Sequence, residues 1–168
     1  IMGLQSYDPI DCYELSEMLN IPVFTLKDLS TLGFDNSHYL KLKNKNSNFF
    51  ACILETQLGR IIINNHNTSN NRSNSNIVHE ISHVICGHDF SSISTLNGSV
   101  FREFNKEQED EANWLGGCLL LPRDGLVWAS KKGFTIKEIA DHFGSSEQMA
   151  KWRYQITGVS RQVGYYKK

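Results

Sequence analysis

The pattern of apolar and polar residues divides the chain into a β-rich first part and a mostly helical second part. Two apolar stretches, 49–55 and 60–64, lie on either side of a Gln57-Leu58-Gly59 turn signal and predict a hairpin. A run dominated by Asn and Ser over 64–76 predicts a surface loop, and a further loop is expected near 89–100. A small sheet beside several helices indicates the α+β class.

The first helix is predicted over 10–19, opened by Asp8-Pro9. Its leucines and methionine recur at helical spacing, so we expect Leu15, Met18 and Leu19 on its buried side.

A second helix is predicted directly after the Asn- and Ser-rich run. Asn76 is a favourable N-cap residue, and Gly87 is a favourable residue just past the helix end. Between them an apolar stripe at helical spacing indicates a buried side, formed by Ile77, Val78, Ile81, Val84 and Ile85.

This helix carries the pentapeptide His79-Glu80-Ile81-Ser82-His83, which has the pattern H-E-x-x-H. Histidines at positions i and i+4 project from one helix face, so both rings can reach one metal ion. Zinc lowers the pKa of a bound water to about 7, and the carboxylate of Glu80 can take the proton of that water. The motif is therefore typical of a metallopeptidase.

A catalytic zinc site requires a third protein ligand, for which the residues offer three alternatives. His88 follows the helix end and would point elsewhere unless the chain turns back. Asp89 stands where an extended H-E-x-x-H pattern has its third ligand, but Cys86 occupies the glycine position of that pattern. The third alternative is a carboxylate from another predicted helix, over 107–113.

Two motifs together resemble the ImmA/IrrE family of zinc metallo-endopeptidases. The first is H-E-I-S-H at 79–83, and the second is E-D-E-A-N-W-L-G-G-C-L-L-L-P at 109–122. Their order and separation match the family pattern, and the likeness extends from about residue 8 to about residue 158. The second motif departs from that pattern at Leu115, Gly116 and Leu121. The Gly116-Gly117 pair should cost about 1 kcal/mol per residue in a helix unless a neighbouring element packs closely there.

The resemblance implies a set of roles for single residues. It makes His79, His83 and Glu109 the ligands of a Zn2+ cofactor and Glu80 the general base and acid. Asn113 lies one turn after Glu109, and we expect it to orient a ligating histidine. The implied fold is a zincin-like, minimal gluzincin metallopeptidase with a small sheet beside the active-site helix. The implied substrate is a protein, a helix-turn-helix repressor of a mobile element, prophage or stress regulon.

Composition adds the expected organisation and compartment. We expect one domain over 1–168, with a peptidase core over about 8–125 and a helix-turn-helix-like segment over about 134–158. The net charge is −1, no apolar run reaches the length of a membrane span, and the start lacks a signal-peptide pattern. The four cysteines form no C-x-x-C pair, which favours free thiols and a cytoplasmic protein without membrane partners.

The helix-turn-helix-like segment gives an alternative role in reading DNA. Its contacts would then be Lys151, Arg153 and Arg161. Because the near-neutral charge gives no basic footprint, we expect this helical pair to pack on the peptidase core and direct nucleic-acid binding to be absent.

Two further functions compete with the peptidase: a zincin-like binding protein that sequesters a repressor without cutting it, and a DNA-binding regulator with structural zinc. An intact H-E-x-x-H favours the enzyme, since a closed structural zinc site has no use for Glu80. Four residues have suitable chemistry for stabilising the oxyanion of the transition state: His66, His142, Tyr165 and Tyr166.

Overall fold

A computed structural model of the chain describes residues 2–30, 50–56, 59–65, 68–88, 93–96, 99–102 and 105–166. The α-helices of these residues are α1 (Cys12–Met18), α2 (Asn70–Ile85), α3 (Lys106–Leu120), α4 (Arg123–Lys131), α5 (Ile136–Phe143), α6 (Glu147–Ile156) and α7 (Val159–Tyr166). The strands are β1 (Val23–Thr25), β2 (Ala51–Thr56), β3 (Gly59–Asn64), β4 (Ile93–Leu96) and β5 (Ser99–Arg102), and a 3-10 helix spans Leu26–Ser30. The predicted α+β class is confirmed. None of the described helices has the length and apolar character needed to cross a membrane.

The main sheet has three strands in the order β1-β3-β2. Strands β2 and β3 pair antiparallel from Ala51↔Asn64 to Thr56↔Gly59, which confirms the two predicted strands and their hairpin pairing. Strand β1 adds to the other side of β3 in parallel. The central position of β3 explains why Ile62 and Ile63 are fully buried. Among the strands that the structure describes, β2 lies at one side of this sheet.

The prediction of a loop near 89–100 is wrong over its second part. Strands β4 and β5 form a separate antiparallel pair, with Ile93 opposite Arg102 and Thr95 opposite Val100. The β-branched residues at three of these four positions favour the extended backbone of a strand.

The start of α2 also differs from the sequence prediction. The helix begins at Asn70 rather than after Asn76, and the Ser69 side chain caps it by accepting from the backbone N–H of Arg72. The predicted loop over 64–76 is therefore wrong from residue 70 onward.

Tertiary hydrogen bonds explain how a polar sequence is helical there. The Ser75 hydroxyl is buried and accepts from the backbone N–H of Ser146 at 2.8 Å. The Asn74 side chain donates to the carbonyl of Gly144 at 3.0 Å. These contacts with the turn between α5 and α6 outweigh the weak helix propensity of Asn and Ser.

The buried sides of α1 and α2 require two corrections. In α2, Ile77, Val78 and Ile81 are fully buried as predicted, whereas Ile85 is 47% exposed because it ends the helix. In α1, Met18 and Leu19 are exposed and Cys12 and Ser16 are buried instead. The chain reverses at Asn20, which has a left-handed φ of 55°, and this turn places Ile21 in the core instead of Leu19.

The segment over 134–158 contains the two helices α5 and α6. Gly144 is left-handed with φ 63° after α5, and the Ser146 side chain caps α6. Arg153 is only 3% exposed and donates from Nε and Nη2 to the carbonyl of Leu121. The DNA-reading alternative would need Arg153 at the surface, whereas α6 packs this side chain against the end of α3. Lys151 and Arg161 are exposed.

Candidate metal centre

Small residues on α3 let it approach the helix that carries the H-E-x-x-H motif. Ala112 and Gly116, one turn apart, are both buried. A Cβ atom on Gly116 would lie 3.3 Å from Ser82 Oγ and 3.6 Å from the backbone of His79. The close packing partner anticipated for this glycine is therefore α2 itself. This approach brings α3 within side-chain reach of both histidines.

Three side chains from these two helices converge on one point. Glu109 Oε2 lies 3.1 Å from His79 Nε2, and Glu109 Oε1 lies 3.4 Å from His83 Nε2. The Nε2 atoms of His79 and His83 are 3.1 Å apart. Of the two alternatives for a third ligand that lie among the described residues, His88 and the helix over 107–113, the helix supplies a side chain here, through Glu109.

The spacing and chemistry of these donors fit a divalent metal. Zinc bonds of about 2.0–2.1 Å in a tetrahedron place neighbouring ligand atoms about 3.3 Å apart, and the observed separations are 3.1–3.4 Å. Two imidazole nitrogens and a carboxylate at such distances are acceptors that need a shared cation or proton between them. The set would accommodate zinc with His79, His83 and Glu109 as ligands.

Burial is graded across this cluster. The His83 side chain is 1% exposed, whereas His79 and Glu109 are 19% and 22% exposed. One side of the donor set is therefore enclosed by protein and the other side opens to solvent, which is the arrangement of a site that keeps a position for substrate.

Glu80 is placed beside this open side. It lines the same cleft as His79, between α2 and β2. Its carboxylate lies near Cys52 on β2. Burial raises the pKa of the Cys52 thiol far above its ordinary value, and the charge of Glu80 raises this pKa further. A half-buried carboxylate next to the metal ligands is positioned to exchange protons with a bound substrate or water.

The backbone at the end of α2 returns the chain to the metal ligands. Gly87 is left-handed, with φ 68°, as expected for a residue just past a helix end. The N–H of Gly87 donates to Val84, and the N–H of His88 donates to the carbonyl of His83, which together make a Schellman motif. His88, set aside from sequence because it follows the helix, is thereby buried under His83.

His88 bridges His83 to a second acidic residue. Its Nδ1 lies 2.7 Å from His83 Nδ1, and its Nε2 lies 3.0 Å from Glu111 Oε2. If His83 is to offer an Nε2 lone pair to a metal, it must carry its proton on Nδ1 and donate to His88. His88 then carries its own proton on Nε2 and donates to Glu111. The chain of hydrogen bonds thus fixes the orientation of the His83 ring.

Cys86 completes a second group of donor side chains here. Donor atoms of Cys86, His88 and Glu111 all lie within 4.8 Å of one another. Burial raises the pKa of the Cys86 thiol, and the nearby Glu111 carboxylate raises it further. Neither Cys86 nor Glu111 has a predicted role, although a cysteine and a histidine on either side of the Gly87 turn are a local sign of a donor cluster.

The cleft in front of the metal centre has a volume of about 700 Å³ and contains two tryptophans that sequence analysis did not single out. Trp114 of α3 and Trp152 of α6 meet edge to face, with ring centroids 6.2 Å apart. On the β2 side, the Arg72 guanidinium lies 4.7 Å from the centroid of the Phe50 ring. The cleft therefore offers both apolar and charged surface.

The remaining predicted residues are distributed as follows. Asn113 lines the cleft with His79 and Glu80, and its role in orienting a ligand stays a prediction. His142 does not line the cleft: it packs on Trp128, and its Nε2 lies 2.8 Å from the carbonyl of Tyr7. Asp89, His66 and the side chains of Tyr165 and Tyr166 lie outside the described residues.

Comparison with known proteins agrees with this geometry. The family model described as Peptidase_M78, IrrE N-terminal-like domain, matches residues 20–154, which include both motifs of the metal centre. No match was found among curated proteins or among solved structures. Because the family match covers most of the chain, the protein belongs to the Peptidase_M78 family of metallopeptidases with an IrrE N-terminal-like domain.

Proposed function

We propose that the chain is a zinc-dependent endopeptidase that hydrolyses a peptide bond in a protein substrate. The observation that carries the proposal is the convergence of His79, His83 and Glu109 at 3.1–3.4 Å, with Glu80 beside them in an open cleft. Membership of a metallopeptidase family supports the same reaction class.

The chemistry divides between the metal and Glu80. Bound zinc supplies a Lewis acid that polarises the scissile carbonyl and makes a neighbouring water more acidic. Glu80 takes the proton of the attacking water and returns it to the nitrogen of the departing amine, so it acts first as base and then as acid. His88 and Glu111 keep the ring of His83 in the tautomer that a metal ligand requires.

The shape of the cleft favours an extended polypeptide as substrate. Among the described strands β2 lies at one side of the sheet, and Ala51 at its start lines the cleft together with Phe50. A peptide can add to such an edge through backbone hydrogen bonds, with side chains pointing alternately into pockets. Trp114 and Trp152 provide an aromatic wall for a large apolar side chain near the scissile bond. An open cleft accepts chain on both sides of the bond, which favours endopeptidase action.

A helix-turn-helix repressor is the substrate class that we propose, on the strength of the family resemblance. Such repressors regulate mobile elements, prophages or stress regulons, and their cleavage relieves repression. A protein that sequesters the repressor without cleaving it would not need Glu80. Substitution of this residue therefore distinguishes the peptidase from the binding protein. Burial of Arg153 removes one of the three contacts that the DNA-binding alternative requires.

The decisive experiment follows the fate of a repressor in the presence of the zinc-loaded protein. A purified helix-turn-helix repressor is incubated with it, and products are identified by mass spectrometry. Glu80→Gln should retain zinc and lose about a hundredfold to ten-thousandfold in cleavage rate, since it removes the general base. A Glu80→Gln variant that cleaves at the normal rate would refute the mechanism. Binding without cleavage by the wild-type protein would establish the sequestering role instead.

A matched pair of variants tests the ligand set. Both variants carry Cys86→Ser, which removes the thiol of the neighbouring donor cluster. In this background Glu109→Ala should lose zinc, as measured by metal content after dialysis against a weak chelator, because it removes one of three ligands. Glu107→Gln is the control, since Glu107 is exposed on the same helix and is not part of the cluster. Equal zinc content in both variants would remove Glu109 from the site.

A further inference from the structure

The donor cluster behind the metal centre has chemistry of its own. Cys86, His88 and Glu111 offer a thiol, an imidazole and a carboxylate within 4.8 Å of one another. The His88 side chain is 5% exposed and contacts His83 on one side, whereas the Glu111 side chain is 65% exposed and reaches the surface. A cation can therefore arrive from solvent at donors that are already gathered.

We propose that Cys86, His88 and Glu111 form a second site for a thiophilic divalent cation such as Zn2+ or Co2+, and that its occupation opposes occupation of the first site. Sulfur, nitrogen and carboxylate donors in one cluster are the set that zinc and cobalt accept. The opposition rests on the proposed function, because it requires that His79, His83 and Glu109 bind a metal.

The opposition between the two sites follows from the hydrogen bond that joins them. The Nδ1 of His88 faces the Nδ1 of His83 at 2.7 Å, so a cation at the second site takes the Nε2 lone pair of His88. A neutral imidazole that gives its Nε2 lone pair must carry its proton on Nδ1. That proton then points at His83 Nδ1, which becomes an acceptor and leaves His83 with its proton on Nε2.

His83 cannot bind a metal through a protonated Nε2. The two cations therefore require opposite directions of one hydrogen bond, and each weakens the other by the same factor. An alternative in which the His83–His88 bond breaks has the same sign, because His83 then loses the contact that holds its ring. Zinc beyond the first equivalent should accordingly inhibit the peptidase.

Cobalt provides a readout that does not depend on activity. A thiolate bound to Co2+ gives a near-ultraviolet charge-transfer absorption, which the ligands of the first site, two imidazoles and a carboxylate, cannot produce. Metal-free full-length protein is titrated with Co2+, and the wild type should develop this band. Cys86→Ser should lose it, while Cys118→Ser, which changes another half-buried cysteine, should keep it. Absence of the band in the wild type, or its survival in Cys86→Ser, would overturn the second site.

The opposition is tested by disabling the first site. In Glu109→Gln the cobalt concentration at half-development of the thiolate band should fall relative to wild type, because no first cation competes. An unchanged midpoint refutes the opposition while leaving the second site in place. Glu111→Gln is a second variant at the cluster, and it should shift the midpoint to higher cobalt. Because the band is also expected in the Glu80→Gln protein, failure of the proposed peptidase function and failure of this inference give different results.

Discussion

The packing of α3 against α6 gives a quantitative prediction at Gly117. This glycine lies inside α3, and a Cβ atom there would be 2.5 Å from Arg153 Cδ and 2.8 Å from Trp152 Cζ3. Real Cβ atoms do not approach other heavy atoms so closely, so Gly117→Ala forces the buried Arg153 or the Trp152 ring to move. The substitution therefore tests whether α6 is as tightly packed on α3 as the structure indicates.

Two opposing effects set the magnitude. Ala is favoured over Gly inside a helix by about 1 kcal/mol, and overpacking a filled site costs about 1–3 kcal/mol. The net loss in the free energy of unfolding should be about 0–2 kcal/mol. Gly164→Ala is the matched reference, because Gly164 also lies in a helix and has nothing within 4 Å of its Cβ position. That variant should gain up to about 1 kcal/mol.

The difference between the two variants isolates the packing effect. Urea unfolding followed by circular dichroism measures both free energies, and Gly117→Ala should be less stable than Gly164→Ala by about 1–3 kcal/mol. In an Arg153→Ala background the cost of Gly117→Ala should shrink, since two of the closest contacts belong to Arg153. A Gly117→Ala protein as stable as Gly164→Ala would refute the close approach of these helices.

Three further predictions concern the stability and reactivity of the core. Gly125→Ala should prevent stable folding, as judged by loss of a cooperative thermal transition, because its Cβ would lie 2.1 Å from the carbonyl oxygen of Ser6. Thr135→Ala should lower the free energy of unfolding by about 1 kcal/mol, because it removes the N-cap of α5. Hydrogen bonds from the backbone and side chain of Thr135 also lower the pKa of Glu138. The ionised Glu138 therefore stabilises the fold at pH values above its unfolded pKa, and this contribution is lost as the pH falls through its folded pKa. In acid titrations Thr135→Ala should lose less stability over this range than the wild type. Burial, reinforced by a neighbouring carboxylate, raises the pKa of Cys12 to about 12, so its thiol should resist iodoacetamide at pH 8 until the protein unfolds.

The convergence of the two histidines could be predicted from sequence because their placement depends on short-range periodicity. His79 and His83 share a face in any α-helix, whatever surrounds it. Glu109 needed more than periodicity: the acidic start of α3 offered several carboxylates, and the resemblance to a family with two motifs selected one of them. The close approach that brings it to the histidines depends on Gly116; the sequence predicted a closely packed neighbour for this glycine but did not identify it as α2.

Other features escaped sequence reasoning because long-range contacts decide them. The first turns of α2 read as a loop, since Ser and Asn favour caps and turns when no tertiary partner is known. Their partners, at Gly144 and Ser146, lie about seventy residues further along the chain. The position of His88 stayed open for a different reason: the left-handed Gly87 reverses the direction of the backbone, and helical spacing no longer applies beyond it.

The donor set spans two helices, and two of its members, His79 and Glu109, are thirty residues apart in sequence. A cation held by His79, His83 and Glu109 would therefore cross-link the two helices as well as take part in catalysis. At a free cation concentration about one hundred times the dissociation constant, it should stabilise the folded chain by about 2.7 kcal/mol. Metal starvation would then lower the melting temperature as well as the activity. A chain that has lost this cation should also be digested faster by an added protease, because a larger fraction of its molecules is unfolded at any moment.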